Sequence, residues 1–174
     1  MIPATAGRQA RISAPTLTLG TYKTAGGPPA TLQGVPGPVR FDSKIAVLLR
    51  DDLAVWQRLN VTAFLVSGIA GTRPHLLGEP YEDADGTRYL PMFGQPVLVF
   101  AGDRDVLTAA HRRALERGML MSVFTEELFA TGNDVDNRAA VRAVAREKLN
   151  LAGLAVHGAR NAVDKVLKGA SLHR

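Results

Sequence analysis

There is no cysteine in this chain. Disulfides, thiol nucleophiles and thiolate metal sites are therefore excluded. Aromatic residues are few, 6% of the sequence with a single tryptophan, Trp56. One aromatic without basic neighbours is no stacking platform for bases, so Trp56 is expected in the core or at an interface. No apolar run approaches the roughly 20 residues that a membrane-spanning helix needs. The first residues lack the apolar stretch of a secretory leader, which predicts a cytoplasmic protein with no membrane partner. The four histidines, His75, His111, His157 and His173, are scattered and never at ligand spacing. Neither a metal nor another cofactor is expected, and no internal repeat is visible.

What is present is ordinary in bulk and uneven in detail. The 174 residues are 46% apolar and 21% charged, as in a soluble globular domain with a core of its own. The net charge of +5 is divided. Residues 1–41 hold four bases and no acid, net +4. Residues 42–137 hold nine bases and fourteen acids, net −5, and residues 138–174 hold eight bases and two acids, net +6. A polarised domain of this kind signals nucleic acid more weakly than its high isoelectric point does. Residues 1–41, dense in Gly, Pro and Thr without periodicity, read as a disordered or loosely packed basic tail. Residues 42–174 read as one α/β domain.

Within that domain, "IAVLL" is a short continuous apolar run, a strand buried on both faces. Residues 56–69 follow as a helix with Trp56, Leu59, Ala63 and Val66 on one side. "EPYEDADGTRYLPMF" carries Asp-Gly between short alternations, a hairpin pattern. "PVLVFAG" is a second strand, and a helix then opens at Asp103 and closes at Gly118. "MLMSVF" is a third strand, residues 134–147 an amphipathic helix, "LAGLAVHG" a fourth strand, and "NAVDKVLKG" a last helix ending at Gly169. Strands alternating with helices predict a three-layer α/β/α sandwich on a small mixed, mainly parallel sheet.

"KIAVLLRDDLAVWQRLNVTAFLVSGIAG", "EPYEDADGTRYLPMFGQPVLVF", "VFTEELFATGNDVDNRAAV" and "NAVDKVLKGASLH" resemble the bacterial family known as domain of unknown function 2000, over roughly residues 41–173. That family is similar in fold to the archaeal and eukaryotic type of peptidyl-tRNA hydrolase. The hydrolases' Arg-x-Asp-Leu turn resembles Arg50, Asp52 and Leu53, and their final Asp-Lys-Val-like helix resembles Asp164, Lys165 and Val166. The resemblance implies a peptidyl-tRNA hydrolase II-like sandwich, often a homodimer. Where the hydrolases carry the Lys of their proposed active site, this chain has Asn60, and Phe64 stands in the place of a Gln. Their Asp-Ala-Gly turn is replaced by "FTEELF". A resemblance of fold does not by itself carry the chemistry.

If the first and third strands lie side by side in the same direction, their C-terminal ends gather Arg50, Asp51, Asp52, Thr125, Glu126 and Glu127. Gln57, Asn60, Phe64 and Ser67 form one stripe of the first helix facing that edge. Asp52, Asn60 and Glu126 are then the candidate catalytic groups: a carboxylate orients a water or acts as base, and an amide steadies an oxyanion. Arg50, Thr62, Thr125, Glu127 and Asn133 are candidate substrate contacts. Each has a structural alternative. Asp52 caps the helix or pairs with Arg50, Asn60 makes a structural hydrogen bond, and Glu126 and Glu127 are solvated first-turn acids.

"TGNDVDNR" lacks the closing Glu of a calcium loop, so Asn133 or Asp134 reads as a helix cap. Asp83 and Asp85 read as turn residues. His111, beside Arg112 and Arg113, is expected to be exposed. Arg138, Arg142 and Arg146, four residues apart, make a basic ridge joined by Lys165 and Lys168. Like charges so spaced destabilise a helix by about 0.2–0.5 kcal/mol per pair, which an acidic partner, a phosphate or a second subunit would offset. The turns are too poor in glycine for a phosphate loop.

The polar strand ends and the hydrolase-like fold together imply an enzyme acting on an acyl ester or amide carried by a nucleotide, tRNA or small carrier. The competing readings are a non-catalytic module that binds a nucleotide, RNA or protein through the arginine ridge, and a dimeric scaffold that uses the ridge as an interface.

Overall fold

The computed structural model describes residues 39–173; the expected tail falls almost wholly outside the described residues. Strands β1 (Ser43–Arg50), β4 (Val97–Gly102), β5 (Met121–Thr125), β6 (Leu151–Ala159) and β7 (Ser171–Leu172) form one five-stranded sheet in the order β5-β6-β1-β4-β7. β2 (Tyr81–Glu82) and β3 (Arg88–Tyr89) make the expected hairpin. Its turn is held by Asp83, whose carboxylate accepts from the backbone N–H groups of Asp85 and Thr87 and from the Tyr89 hydroxyl, while Gly86 takes φ +82°. The helices are α1 (Val55–Thr72), α2 (Arg104–Glu116), α3 (Asp134–Arg142) and α4 (Arg160–Val166), with a short 3-10 helix at Glu126–Ala130.

The sheet is mixed, and the expectation that it is mainly parallel is corrected. Only β1 and β4 pair in parallel; β1–β6, β5–β6 and β4–β7 are antiparallel. β1 and β5 do run the same way, but they are not neighbours, because β6 lies between them. Apolar runs alone do not encode strand order. "LAGLAVHG" fits the interior slot between β5 and β1 because it is small and buried along most of its length. α1 crosses so near to it that a Cβ on Gly153 would stand 2.8 Å from Val61 and 3.1 Å from the Leu48 carbonyl.

Alternate residues of β1 serve two cores, as strand geometry requires. Ile45, Val47 and Leu49 pack with Val61, Leu65 and Ile69 of α1. Ala46 and Leu48 pack with Leu107, Ala110 and Ala114 of α2 and with Val163 and Val166 of α4. Each fully buried side chain of this size stabilises by about 1.5–3 kcal/mol. Helices therefore cover both faces of the sheet.

α2 begins where Asp103 accepts from the Val106 N–H and ends before Gly118 at φ +62°, as the sequence predicts. His111 on this helix is buried rather than exposed, at 9%. The flanking arginines misled, since helix periodicity places 111 with 107, 110 and 114 on the inner face. α3 is shorter than the expected 134–147, stopping at Arg142. It buries no residue, so nothing apolar extends it.

Candidate functional site

Two polar regions stand near the turn that follows β5. The first is centred on Arg50 at the end of β1, which is only 7% exposed. Its Nε donates to Asp52 Oδ1 at 2.5 Å, one Nη donates to Asn150 Oδ1 at 3.2 Å, and the other donates to Glu126. Burial works against the guanidinium charge, but the hydrogen bonds to Asp52 and Glu126 and their negative charges outweigh it, and its pKa lies above the ordinary value. Asp52 and Glu126 remain partly open to solvent. Asp52 thus pairs with Arg50 and does not cap α1. That helix starts at Ala54, whose N–H donates to the Gln57 side chain at 2.9 Å.

The second region is a groove of about 750 Å³ between α1, β5, the 3-10 helix and α3. Four rings run along it: Trp56 edge to face with Phe129 at 5.7 Å, Phe129 tilted on Phe124 at 5.0 Å, and Phe124 edge to face with Phe64 at 5.8 Å between centroids. Trp56 and Phe64 are 61% and 52% exposed, so Trp56 is a wall of the groove and not a core residue. α3 faces the rings with Asn133, Asn137, Arg138 and Arg142. Asn133 caps α3 by accepting from the Asp136 N–H. Asn137 is hydrogen-bonded to the Thr131 hydroxyl, which also reaches the Leu128 carbonyl at 2.9 Å; either orientation of the Asn137 amide leaves at least one N–H without a partner among the described residues, and Arg138 pairs with Asp134. Asn60 and Arg142 also line the groove, and neither has a side-chain partner among the described residues.

The expected site residues are thereby separated. Asn60 and Asn133 line the groove; Arg50, Asp52 and Glu126 form the neighbouring cluster. Thr62 donates back to the Arg58 carbonyl at 2.7 Å within α1. Thr125 is 1% exposed with a buried, unpartnered hydroxyl, and Glu127 is exposed outside the groove. The basic ridge is broken. Arg138 and Arg142 stay on α3, whereas Arg146 sits in a separate turn, where its charge acts on His111. Lys165 lies on α4 and Lys168 just beyond its end. Sequence reasoning missed Phe124, Phe129 and Asn137. Asn133, Asn137 and Val141 recur every four residues, and that period would have pointed to one lining face of α3. Among the described residues no three acids or histidines come together to hold a metal.

A family model described as "Protein of unknown function (DUF2000)" matches residues 43–174. The chain belongs to this family. A solved structure similar to this DUF2000 chain is that of Atu0240, a protein of unknown function from Agrobacterium tumefaciens. It is 48% identical, its TM-score is 0.76, and the match covers 78% of this chain and 100% of that one. No curated protein matches this DUF2000 chain. No described helix is long and apolar enough to cross a membrane.

Proposed function

We propose that the groove binds a small ligand with an apolar or ring-bearing body and an acceptor-rich, anionic end, as in an acyl-nucleotide. The observation that carries this reading is the division of the lining. Four rings stand on α1, β5 and the 3-10 helix, and free donors face them from Asn137 and Arg142 on α3. Asn60 adds an amide that both donates and accepts. The volume lies within the ~300–1,000 Å³ common for ligand clefts. A ligand burying its body against Trp56 and Phe64 removes exposed apolar surface from water, at about 25 cal/mol per Å².

Hydrolysis of the acyl bond is the second reading, suggested by the resemblance of Arg50, Asp52 and Leu53 to the Arg-x-Asp-Leu turn of peptidyl-tRNA hydrolases. Its support is the set of carboxylates beside the groove: Glu126 lies between the groove-lining Phe124 and Leu128 in sequence. Both Glu126 and Asp52 are already engaged by the Arg50 guanidinium, so neither is free to orient a water. Binding is therefore the reading that the geometry favours.

A melting screen over nucleotides, acyl-nucleotides, acyl-amino acids and tRNA tests it. A ligand at a hundred times its Kd stabilises the fold by about 2.7 kcal/mol. At least one compound with a phosphate or carboxylate is expected to raise the melting temperature, and Arg142→Ala to abolish the rise. If only tRNA binds, with affinity falling steeply as salt rises, the ligand is the phosphate backbone instead. If nothing binds, the proposal is wrong.

A further inference from the structure

A second, smaller cavity lies at the other end of the seam between α1 and β5. It measures about 130 Å³ and is lined by Thr72 and Arg73 at the end of α1, Ser122 on β5 and His157 on β6, among others. His157 is part of its lining, and the ring's Nε2 is buried without a hydrogen-bond partner among the described residues. Buried polar atoms in native proteins are served by a partner, a water or an ion.

The surroundings indicate which. Arg73 lines the cavity, and the His75 ring stands 6.5 Å from that of His157. Burial, then the charges of Arg73 and His75, push the His157 pKa below its ordinary value, and no carboxylate acts on it. Neither Arg73 nor His75 forms an ion pair among the described residues. The hydroxyls of Thr72 and Ser122 likewise have no partner there. The site thus offers a full positive charge, one imidazole and two hydroxyls, with the His75 ring beyond that of His157. It is opposed only by the C-terminal pole of α1, roughly half a negative charge. At about 130 Å³ the space is large enough for a tetrahedral oxyanion.

We propose that this cavity binds a small oxyanion of phosphate size, held by Arg73 and His157 with the hydroxyls of Thr72 and Ser122.

Histidine-ring NMR of the full chain, recorded as inorganic phosphate is added at constant ionic strength, tests this directly. The His157 and His75 signals are expected to move saturably. Arg73→Ala and His157→Gln are expected to weaken phosphate binding at least tenfold. Arg142→Ala, in the separate groove, is expected to leave it unchanged, so failure here is distinguishable from failure of the groove reading. Thermal melts of each variant establish that it is folded. Glycerol phosphate binding as well as phosphate assigns the terminal group of an ester; phosphate alone binding assigns the free ion. Signals that stay still, as with water the sole occupant, would overturn the proposal. So would signals that move equally with chloride, or an affinity indifferent to Arg73→Ala.

Discussion

The Arg50 cluster and the groove are neighbours built on opposite terms. Around Arg50 the charged groups end on one another: Asp52, Glu126 and Asn150 together take up the guanidinium. In the groove the side chains of Asn60 and Arg142 have no partner among the described residues, and Trp56 and Phe64 show half or more of their surface to solvent. A polar group that completes a buried network contributes to the fold. A polar group held open beside exposed rings contributes nothing until something binds, and the sequence alone makes the two kinds look alike.

The largest expected effect breaks the comparison if it is absent. Arg50→Ala strands Glu126, Asp52 and Asn150, and denaturant unfolding is expected to show a loss of about 3 kcal/mol; under about 1 kcal/mol would make the cluster no scaffold. Glu126→Gln keeps the shape and removes one charge. Because that carboxylate is partly exposed, the expected cost is about 1–2 kcal/mol, with ligand affinity unchanged.

Groove variants should divide the other way. Arg142→Ala and Asn60→Ala are expected to change stability by no more than about 0.5 kcal/mol. Each should weaken ligand binding about tenfold, near 1.4 kcal/mol. Equal losses of stability and binding would erase the distinction between the two regions.

The smallest effect comes from outside both. Burial, then the charge of Arg146, holds the His111 pKa below its ordinary value, with Glu147 opposing. The unfolded chain then binds this proton more readily than the native one. The stability it contributes is full above about pH 6.5 and is lost as pH falls. Melting temperature is expected to decline from pH 7 to pH 5, and His111→Gln to flatten that slope in part, leaving the similar contribution of His157.

Much of the fold was legible because its signals are local. The continuous run of β1, the Asp103 and Gly118 helix bounds and the Asp-Gly hairpin depend on residues a few positions apart. Strand order does not. Nothing in "MLMSVF" says that β6 will insert between it and β1, so the sheet read as mainly parallel. The meeting of Arg50 with Glu126 was nonetheless foreseeable, since both strands point the same way. Asn60 was legible through its poor fit to a helix interior. The other wall was legible in part: Asn133, Arg138 and Arg142 were singled out, but Asn137 was not, and α3 ends where apolar contacts cease, which carried Arg146 away from Arg138 and Arg142. The groove's rings, spread over residues 56–129, carry no sequence spacing that unites them.

The central claim is that binding resides in the groove and not in the Arg50 cluster. The most direct test is the ligand-induced melting shift measured in parallel on the unaltered protein, Glu126→Gln and Arg142→Ala. The shift is expected to persist in Glu126→Gln from a lowered baseline and to vanish in Arg142→Ala from an unchanged one. A shift that persists in Arg142→Ala and vanishes in Glu126→Gln would contradict the claim.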